Sequence, residues 1–383
     1  MRAKTFDFVV VGAGAFGAWS AHELLRNGHS VLLLDAHGAG HSRASSGGET
    51  RVIRMGYGAD ELYSRWAMRS LQMWKAIEQR LARRIFHRTG MLWLAGSRDA
   101  YVGEIQNVLH ALGVEHEHLD RHALENEYPQ ISCDGIEWAL REPGSGVLMA
   151  RQSVQTLVAH ALAIGLEYRT QSVVAPGLKA TLDYVETTSG DRISAGAFVF
   201  ACGAWLPKLF PELLGQRIFP TRQEVFFFAA PAGDVSFASP AMPAWLDHAE
   251  LVYGVPNIEN RGFKVSIDRH GPAFDPDTGV RQASEDRLTL VRAYLNRRFP
   301  KLRGAVLTET RVCQYENTSN GDFIIDRHPQ IDNVLIVGGG SGHGFKHGPA
   351  VGEYASRLLT SNGVVEPRFT LASKPASPVR SVY

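Results

Sequence analysis

The glycine motif that follows the first apolar run restricts the fold of this chain more than any other feature. Residues 6–11 form an apolar run, Gly12-x-Gly14-x-x-Gly17 follows it, and residues 15–27 have the pattern of a helix. A strand, a glycine-rich turn and a helix in this order are typical of a dinucleotide-binding unit. The glycines allow a tight turn, close approach of a pyrophosphate and close packing of the helix on the strand.

Asp35 completes the same pattern. It closes a second predicted strand, residues 31–34, and lies roughly 20 residues after the motif, where a carboxylate can accept hydrogen bonds from ribose hydroxyls. The sequence therefore predicts a β-α-β unit that binds a dinucleotide. The motif does not choose between NAD and FAD, and a glycine-rich turn without a ligand is the simpler alternative.

A second glycine cluster lies near the other end of the chain. Residues 338–346 are Gly-Gly-Gly-Ser-Gly-His-Gly-Phe-Lys, and a predicted helix begins at about residue 348. The start of a helix presents free N–H groups and a partial positive charge, which favour an electron-rich ligand. With His343 and Lys346 in the same turn, we expect an anionic group to bind here. The fold should bring the two glycine clusters together.

Composition narrows the possible partners and compartment. The chain has 383 residues, enough for two domains, and a net charge of +1, which gives no support to nucleic acid or an anionic membrane as a partner. Its three cysteines, Cys133, Cys202 and Cys313, are too few for a disulfide framework, and their spacing fits no zinc site. We therefore expect a cytoplasmic protein without a metal or a membrane segment.

The distribution of strand and helix patterns predicts an α/β fold with two domains. Strands alternate with helices at both ends of the chain, whereas strand patterns dominate residues 222–313, and residues 86–95 suggest a hairpin-like strand pair. We expect a discontinuous Rossmann-type cofactor domain and an α+β, sheet-rich substrate domain. The predicted boundaries are 1–85, 145–220 and 320–383 for the cofactor domain, and 86–144 and 221–319 for the substrate domain.

Several segments occur in the order found in one family of flavoproteins. They are residues 12–17 with Asp35, GETRVIR at 48–54, GSGV at 144–147, CGAW at 202–205, CQY at 313–315, FIID at 323–326 and SGHGFK at 341–346. On these residues the chain resembles the monomeric sarcosine oxidase and N-methyltryptophan oxidase group of the D-amino-acid-oxidase-like, FAD-dependent amine oxidases. The resemblance covers nearly the whole chain, and GETRVIR and SGHGFK are its most specific parts.

The resemblance implies a monomeric FAD oxidase of secondary or N-alkylated amino acids. A hydride equivalent passes from the carbon next to nitrogen to the flavin, water hydrolyses the imine, and O₂ is reduced to hydrogen peroxide. A fructosyl-amino-acid oxidase, a pipecolate-type oxidase and a dehydrogenase with another electron acceptor are alternatives within this chemistry. A flavin-binding module without turnover and an NAD-dependent dehydrogenase are alternatives outside it.

The resemblance also implies which residues bind the cofactor, in both glycine clusters and in the segments between them. These residues are Gly12, Gly14, Gly17, Asp35, Ser45, Arg51, Cys313, Gly340, Gly342, Gly344 and Lys346.

Cys313 matches the family cysteine that carries FAD as a thioether on the flavin 8α carbon. Formation of that bond needs thiolate character, and Arg311 stands two residues earlier, on the same face of an extended strand. The alternative is a buried cysteine that packs as a small hydrophobic residue, which is how we interpret Cys133 and Cys202.

Three cationic side chains match residues that bind the substrate or the flavin ring. Arg54 and Lys346 match the pair that binds the substrate carboxylate, one as a planar fork and one as a point charge. Arg51 matches the arginine beside the flavin ring. Either arginine could instead form a surface ion pair with Glu49 or Asp60.

Four further residues match catalytic positions of the family. Lys264 matches the lysine near flavin N5, where a fixed ammonium stabilises negative charge that develops on oxygen. Tyr253, Tyr315 and His343 match residues that line the substrate cavity. Without the resemblance, Lys264 would be interpreted as solvated, the tyrosines as packed aromatics and His343 as a satisfied histidine.

Three positions depart from the family pattern. Gly47 and Asp268 stand where sarcosine oxidase has histidines, and His347 replaces an aromatic residue. These departures bear on the substrate more than on the reaction. If Asp268 faces the cavity, we expect a larger or more polar substrate, such as an N-glycosylated amino acid.

Overall fold

Two large β-sheets and one small sheet organise the part of the chain that the computed structural model describes, residues 5–361 and 363–376. In chain order the strands are β1 Phe6–Val11, β2 Val31–Asp35, β3 Thr50–Ile53, β4 Phe86–His87, β5 Met91–Ala95, β6 Glu117–Asp120, β7 Trp138–Glu142, β8 Gly146–Met149, β9 Glu167–Thr170, β10 Tyr184–Glu186, β11 Arg192–Phe200, β12 Phe219–Phe228, β13 Ala244–Asp247, β14 Val252–Val255, β15 Phe263–Ile267, β16 Leu307–Asn317, β17 Ile324–Arg327 and β18 Val334–Gly338. The α-helices are α1 Ala15–Arg26, α2 Glu61–Leu81, α3 Ala100–Ala111, α4 Arg121–Glu127, α5 Ala150–Ala163, α6 Leu206–Leu209, α7 Pro211–Leu214, α8 Glu285–Arg298 and α9 Gly348–Thr360.

The first large sheet has a parallel core. Its strand order is β17-β18-β11-β1-β2-β9, with β10 beside β11, and the strands from β18 to β9 run parallel. The strands β1 and β2 are nearly continuous apolar runs, as expected for strands that are covered on both faces. Helix α1 packs against both α5 and α9. The predicted β-α-β unit is therefore confirmed, and it forms the centre of this sheet.

The parallel order explains why the two glycine clusters lie close together. Strand β11 lies between β1 and β18, and all three point in the same direction. The loop after β1 begins with Gly12, and the loop after β18 begins with Gly339, so both glycine clusters lie at the carboxyl edge of one sheet. Crevices at this edge are where open α/β sheets bind ligands.

The second large sheet is mostly antiparallel. Its order is β16-β12-β15-β14-β13-β5-β7-β6, and only the β13–β5 pair among the neighbours in that order is parallel. Helix α8 packs on β12 and β15 around a separate hydrophobic core. The predicted fold class, a Rossmann-type α/β part joined to a sheet-rich part, is confirmed. Among the described residues, no helix has the length and apolar character needed to cross a membrane.

The small sheet corrects one local prediction. It has the order β3-β8-β4 and carries Arg51 on β3. Residues 86–95 do not form a hairpin, because β4 pairs with β8 while β5 joins β7 and β13 in the second large sheet. Gly90, with φ of 76°, donates its N–H to the carbonyl of Ser145 at 3.0 Å. This turn carries the chain from one sheet to the next and does not reverse it.

Candidate active site

A cavity of about 410 Å³ opens at the carboxyl edge of the first sheet. The loops after β1, β2, β11 and β18 line it, together with part of β16. Most of the cofactor-binding residues implied by the sequence lie in this lining. They are Gly12, Gly14, Asp35, Ser45, Arg51, Cys313, Gly340, Gly342 and Gly344.

The N-terminal glycines form a backbone cradle. Gly12 has φ of 105°, and a Cβ atom there would collide with the carbonyl oxygen of Ala201 on the neighbouring strand connection. Gly17 does not line the cavity, because it packs its Cα against the carbonyl oxygen of Gly12. Helix α1 is therefore held tightly against β1, and its first turn faces the cavity with backbone atoms.

Asp35 lies at the end of β2 with its carboxylate fixed by backbone donors. Oδ2 accepts a hydrogen bond from Ala13 N at 2.7 Å, and Oδ1 accepts from His37 N and Gly38 N at 2.8 and 2.9 Å. These bonds tie the loop after β2 to the turn after β1. Asp35 therefore lines the cavity in a single orientation, as a ribose-binding carboxylate must.

The C-terminal glycine cluster reaches α9 through an extra turn. A short 3₁₀ turn, Phe345–His347, precedes the helix, which begins at Gly348 as expected. The side chain of Lys346 leaves this turn and lines a second cavity instead of the first. The turn thus separates the backbone that faces the first cavity from the cation that faces the second.

Cys313 contacts a cation, although not the expected one. Arg51 Nη2 lies 3.3 Å from Cys313 Sγ, and the same guanidinium nitrogen donates to the carbonyl of Ser45 at 2.7 Å. Arg311 instead forms an ion pair with Glu49 at 2.8 Å. The prediction that Arg311 serves Cys313 is therefore wrong, because a nearby carboxylate holds that guanidinium.

The surface-pair alternative for Arg51 also fails. Glu49 forms its ion pairs with three other arginines, and Asp60 pairs with Arg368 across the structure. The partners of Glu49 are Arg151 at 2.9 Å, Arg261 at 3.1 Å and Arg311 at 2.8 Å. Arg51 instead contacts Cys313 Sγ and the carbonyl of Ser45.

The second cavity, of about 480 Å³, adjoins the first. The two share Arg51, Cys313 and Tyr315 in their linings. The structure brings all the catalytic and substrate-binding residues implied by the sequence into this one cavity. They are Arg51, Arg54, Tyr253, Lys264, Tyr315, His343 and Lys346.

Arg54 and Lys346 are buried cations on one aromatic wall. The Arg54 guanidinium lies 4.4 Å from the ring centre of Tyr57 and 4.6 Å from that of Trp93. Lys346 Nζ donates to Tyr57 Oη at 2.8 Å and to the carbonyl of His343 at 3.2 Å. Burial, followed by the charge of Arg54, holds the pKa of Lys346 well below its usual value. A bound carboxylate would relieve this repulsion, since it compensates both charges.

Sequence reasoning missed the residues that position Arg54. Tyr57 and Trp93 supply its aromatic wall, and Glu142, which is fully buried, accepts hydrogen bonds from Trp93 Nε1 at 2.7 Å and from Met55 N at 2.7 Å. Glu142 thereby fixes both the wall and the turn after Arg54. It stands just before the GSGV segment at 144–147, but nothing in the local pattern separates a buried acid from an exposed one.

Lys264 is buried and not solvated. Only 2% of the residue is exposed, and Nζ donates to the carbonyl of Thr50 at 3.2 Å. Burial and then the charge of Arg51 lower the pKa of Lys264 to about 7. The ammonium is therefore poised to gain or lose its proton near neutral pH, and an anion beside it would favour the charged form.

Asp268 does face the second cavity. Tyr315 Oη donates a hydrogen bond to Asp268 Oδ1 at 2.9 Å, and both residues line the cavity. The negative charge of Asp268 contributes to the raised pKa of Tyr253, after burial as the main cause. His343 both lines the cavity and packs, since its ring stacks on Phe323 with centres 4.9 Å apart.

The other two departures from the family pattern act differently. His347 does not line the cavity; its Nε2 lies 2.7 Å from Tyr57 Oη, so it acts on Lys346 through Tyr57. Gly47 lines the cavity, but a Cβ there would collide with the carbonyl oxygen of His41. A histidine at position 47 would require a different loop.

Comparisons with known proteins agree with this geometry. The family model described as FAD dependent oxidoreductase matches residues 7–358. Monomeric sarcosine oxidase of Bacillus sp. (strain NS-129) is 32% identical over 93% of each chain, and N-methyl-L-tryptophan oxidase of Salmonella heidelberg (strain SL476) is 29% identical over 92% of this chain and 94% of the other. The crystal structure of L-proline dehydrogenase from P. horikoshii has a similar fold, with a TM-score of 0.85, 20% identity and coverage of 96% of this chain and 97% of that one.

The first cavity fits the cofactor of that family. It offers a backbone cradle that a Cβ at Gly12 would obstruct, a fixed carboxylate at Asp35 and an arginine–cysteine contact at its boundary with the second cavity. These features suit the pyrophosphate, the ribose and the ring of FAD in turn. The chain belongs to the FAD-dependent oxidoreductase family, with the monomeric sarcosine oxidases and N-methyltryptophan oxidases among its relatives.

Proposed function

We propose that this protein oxidises secondary or N-alkylated amino acids with FAD and O₂, releasing hydrogen peroxide. The observation that carries the proposal is the pair of buried cations, Arg54 and Lys346, in a cavity that adjoins the cofactor cavity at Cys313. A carboxylate is the ligand that both cations favour. The names of the two relatives described above, a sarcosine oxidase and an N-methyl-L-tryptophan oxidase, agree with this choice.

In this proposal the two cations orient the substrate. Arg54 is held on its aromatic wall and Lys346 by Tyr57, so a carboxylate bound between them has little freedom. The carbon next to the amine nitrogen is then directed towards the flavin, which lowers the entropy cost of the reaction. FAD held in the first cavity would supply the acceptor for the hydride equivalent and the means of reducing oxygen.

Lys264 would act in the oxygen step. Its ammonium is buried beside Arg51 and close to Thr50, so little of its charge is screened by water. A fixed positive charge in such a place stabilises negative charge that develops on oxygen. This assignment favours an oxidase over a dehydrogenase with another acceptor.

Peroxide formation tests the reaction class. Purified protein would be mixed with sarcosine, N-methyltryptophan, pipecolate and fructosyl amino acids in air, and peroxide would be measured against substrate consumed. We expect one peroxide per substrate. Flavin bleaching without peroxide would identify a dehydrogenase, and the absence of bleaching with every amine would contradict the proposal.

A second candidate, an oxidase of N-glycosylated amino acids, is favoured by Asp268. The carboxylate lines the cavity, and Tyr315 donates to one of its oxygens, Oδ1. A carboxylate can accept several hydrogen bonds at once, so hydroxyl groups on a large N-substituent can also donate to it. In the same screen this candidate predicts that fructosyl amino acids exceed sarcosine in kcat/KM, and that Asp268→Asn narrows the difference. A clear preference for sarcosine would exclude it.

We further propose that Cys313 carries FAD covalently. The position of Cys313 supports this, since its Sγ lies 3.3 Å from Arg51 Nη2 and the residue lines the cofactor cavity where that cavity meets the second one. After acid precipitation the yellow colour should remain in the pellet, and the Cys313→Ala variant should release it to the supernatant. Colour in the supernatant of the unaltered protein would mean that FAD is bound without a covalent link.

The proposal includes a monomeric, cytoplasmic protein with the two domains predicted from the sequence. Strands of the first large sheet come from three separated stretches of the chain, and those of the second come from the stretches between them, which supports the predicted division. Sedimentation of the purified protein and fractionation of cells would check the first two points.

A further inference from the structure

The cofactor cavity also contains a buried acidic side chain, that of Glu316. Glu316 lies on β16, three residues after Cys313, and lines the first cavity. Only 9% of the residue is exposed, and its Oε2 is buried without a hydrogen-bond partner among the described residues. Burial of a carboxylate oxygen without a hydrogen-bond donor costs free energy, so this atom is a candidate to bind a ligand.

The surroundings of Glu316 are made of glycine backbone. A Cβ on Gly340 would lie 3.1 Å from Oε1, and a Cβ on Gly203 would lie 3.4 Å from Oε2. Gly203 follows β11 and Gly340 follows β18, so the carboxyl group sits between two loops at the carboxyl edge of the sheet. Burial raises the pKa of Glu316 to about 7, and the N–H groups of Gly340 and Gly339 oppose the rise. Those amides hold the group without using Oε2.

The chemistry of FAD narrows the choice of ligand. An ionised carboxyl group repels the pyrophosphate, whereas a hydroxyl group can form a hydrogen bond with the carboxyl group in either protonation state. FAD carries hydroxyls in two places, on the ribose of adenosine and on the ribityl chain. Asp35, at the end of β2, occupies the ribose position of the dinucleotide motif. The ribityl chain is left for Glu316.

The position of Glu316 along β16 agrees with that choice. Three residues of a strand span about 10 Å, so Glu316 lies past a flavin ring attached near Cys313, next to the glycine loops. The ribityl chain joins the ring to the pyrophosphate and must cross this region. We propose that Glu316 binds a hydroxyl of the ribityl chain through Oε2 and so fixes the flavin ring relative to the second cavity.

This inference rests on the FAD cofactor and not on the proposed substrate. If Glu316 does not bind the ribityl chain, the proposal of amine oxidation still stands. If the substrate is not an N-alkylated amino acid, the proposed role of Glu316 still stands. A purely structural role is the competing explanation, since the backbone carbonyl of Glu316 also accepts a hydrogen bond from Ser341 N at 3.1 Å. That bond belongs to the backbone and survives any substitution of the side chain.

The test uses reversible flavin binding. In a Cys313→Ala background, dissociation constants would be measured for FAD and for three FAD analogues that each lack one ribityl hydroxyl. We expect Glu316→Gln to weaken FAD binding by about 10- to 100-fold, as for a hydrogen bond to a charged group. For one of the three analogues, Glu316→Gln should not weaken binding, because that analogue already lacks the hydroxyl that Glu316 binds. An equal loss for FAD and all three analogues would overturn the inference, as would no loss at all.

FMN and a second variant serve as controls. Glu316→Gln should weaken binding of both FAD and FMN, whereas Asp35→Asn should weaken FAD alone, because FMN lacks the adenosine ribose. If Glu316→Gln does not fold, Glu316→Thr takes its place. In the Cys313→Ala protein alone, the inference also requires that one analogue bind about 10-fold or more weakly than FAD. Equal affinity for FAD and the three analogues contradicts the inference.

Discussion

The two adjacent cavities differ in the atoms that shape them, which are mainly backbone atoms in one and side-chain atoms in the other. The cofactor cavity is shaped largely by backbone, with glycines from both chain ends at the edge of one sheet. The second cavity is shaped by charged and aromatic side chains on strands and turns of several sheets. Backbone cradles leave a spaced glycine pattern in a sequence, whereas converging side chains leave none. A substitution that adds volume should therefore impair ligand binding in the first cavity most. A substitution that removes a charge should impair the function of the second cavity most.

The largest effect should come from adding one methyl group to the backbone cradle. Gly12→Ala combines a positive φ of 105° with a collision against the Ala201 carbonyl, so we expect loss of bound flavin and of most folded protein. Gly28→Ala is the matched control, because Gly28 has φ of 88° but nothing within 4 Å of the new Cβ. The flavin-to-protein absorbance ratio decides. Normal flavin content in Gly12→Ala would show that the backbone cradle tolerates the added volume.

Removal of the Lys264 charge should have the next largest effect. We expect Lys264→Met to slow reoxidation of the reduced enzyme by O₂ by about 100-fold or more, while anaerobic reduction by substrate changes little. Stopped-flow spectroscopy measures the two steps separately. An equal slowing of both would remove Lys264 from the oxygen step.

The pH dependence of the same step has a definite sign. The pKa of Lys264 is lowered to about 7, so its ammonium predominates below that pH and is lost above it. The reoxidation rate should therefore fall as pH rises, and negative charge on the reduced flavin moves the fall to higher pH. Lys264→Met should show no such fall.

The Lys346→Met variant, which removes one of the two buried cations, should bind carboxylates about 10- to 100-fold more weakly. The reason is that Arg54 would remain as the one cation on the aromatic wall. Titration of the flavin spectrum with a simple carboxylate inhibitor gives the dissociation constant. Lys179→Met, at an exposed lysine, is the control and should leave it unchanged. Equal affinity in Lys346→Met would show that substrate binds elsewhere.

The smallest effect should come from Tyr57→Phe. The change removes the hydroxyl that Lys346 Nζ donates to, at 2.8 Å, and that His347 contacts, but it keeps the ring under Arg54. We expect a loss of about 3- to 10-fold in carboxylate affinity. Tyr184→Phe, on β10, should have no effect. A loss as large as that of Lys346→Met would mean that Tyr57 binds the substrate directly.

The same contrast explains how much could be predicted from the sequence. The apolar runs and glycine spacings predicted the β-α-β unit and the meeting of the two glycine clusters, because these depend on local backbone geometry. The partner of Cys313 could not be found this way. Arg311 is its neighbour on the strand, but Arg51, 262 residues away, makes the contact. Burial of Glu142 and Glu316 likewise depends on strands that only the fold brings together.

The assembly of the cofactor cavity from segments that are far apart in the chain has a consequence for biosynthesis. Gly12 and Gly14 are synthesised well before Gly340, Gly342 and Gly344, which line the same cavity. Strand β18 must also be made before it can pair with β11. FAD therefore meets a complete cavity only after β18 and the glycine loop that follows it have been synthesised. Until then, the nascent protein holds one half of the cavity and depends on its later half to retain the cofactor.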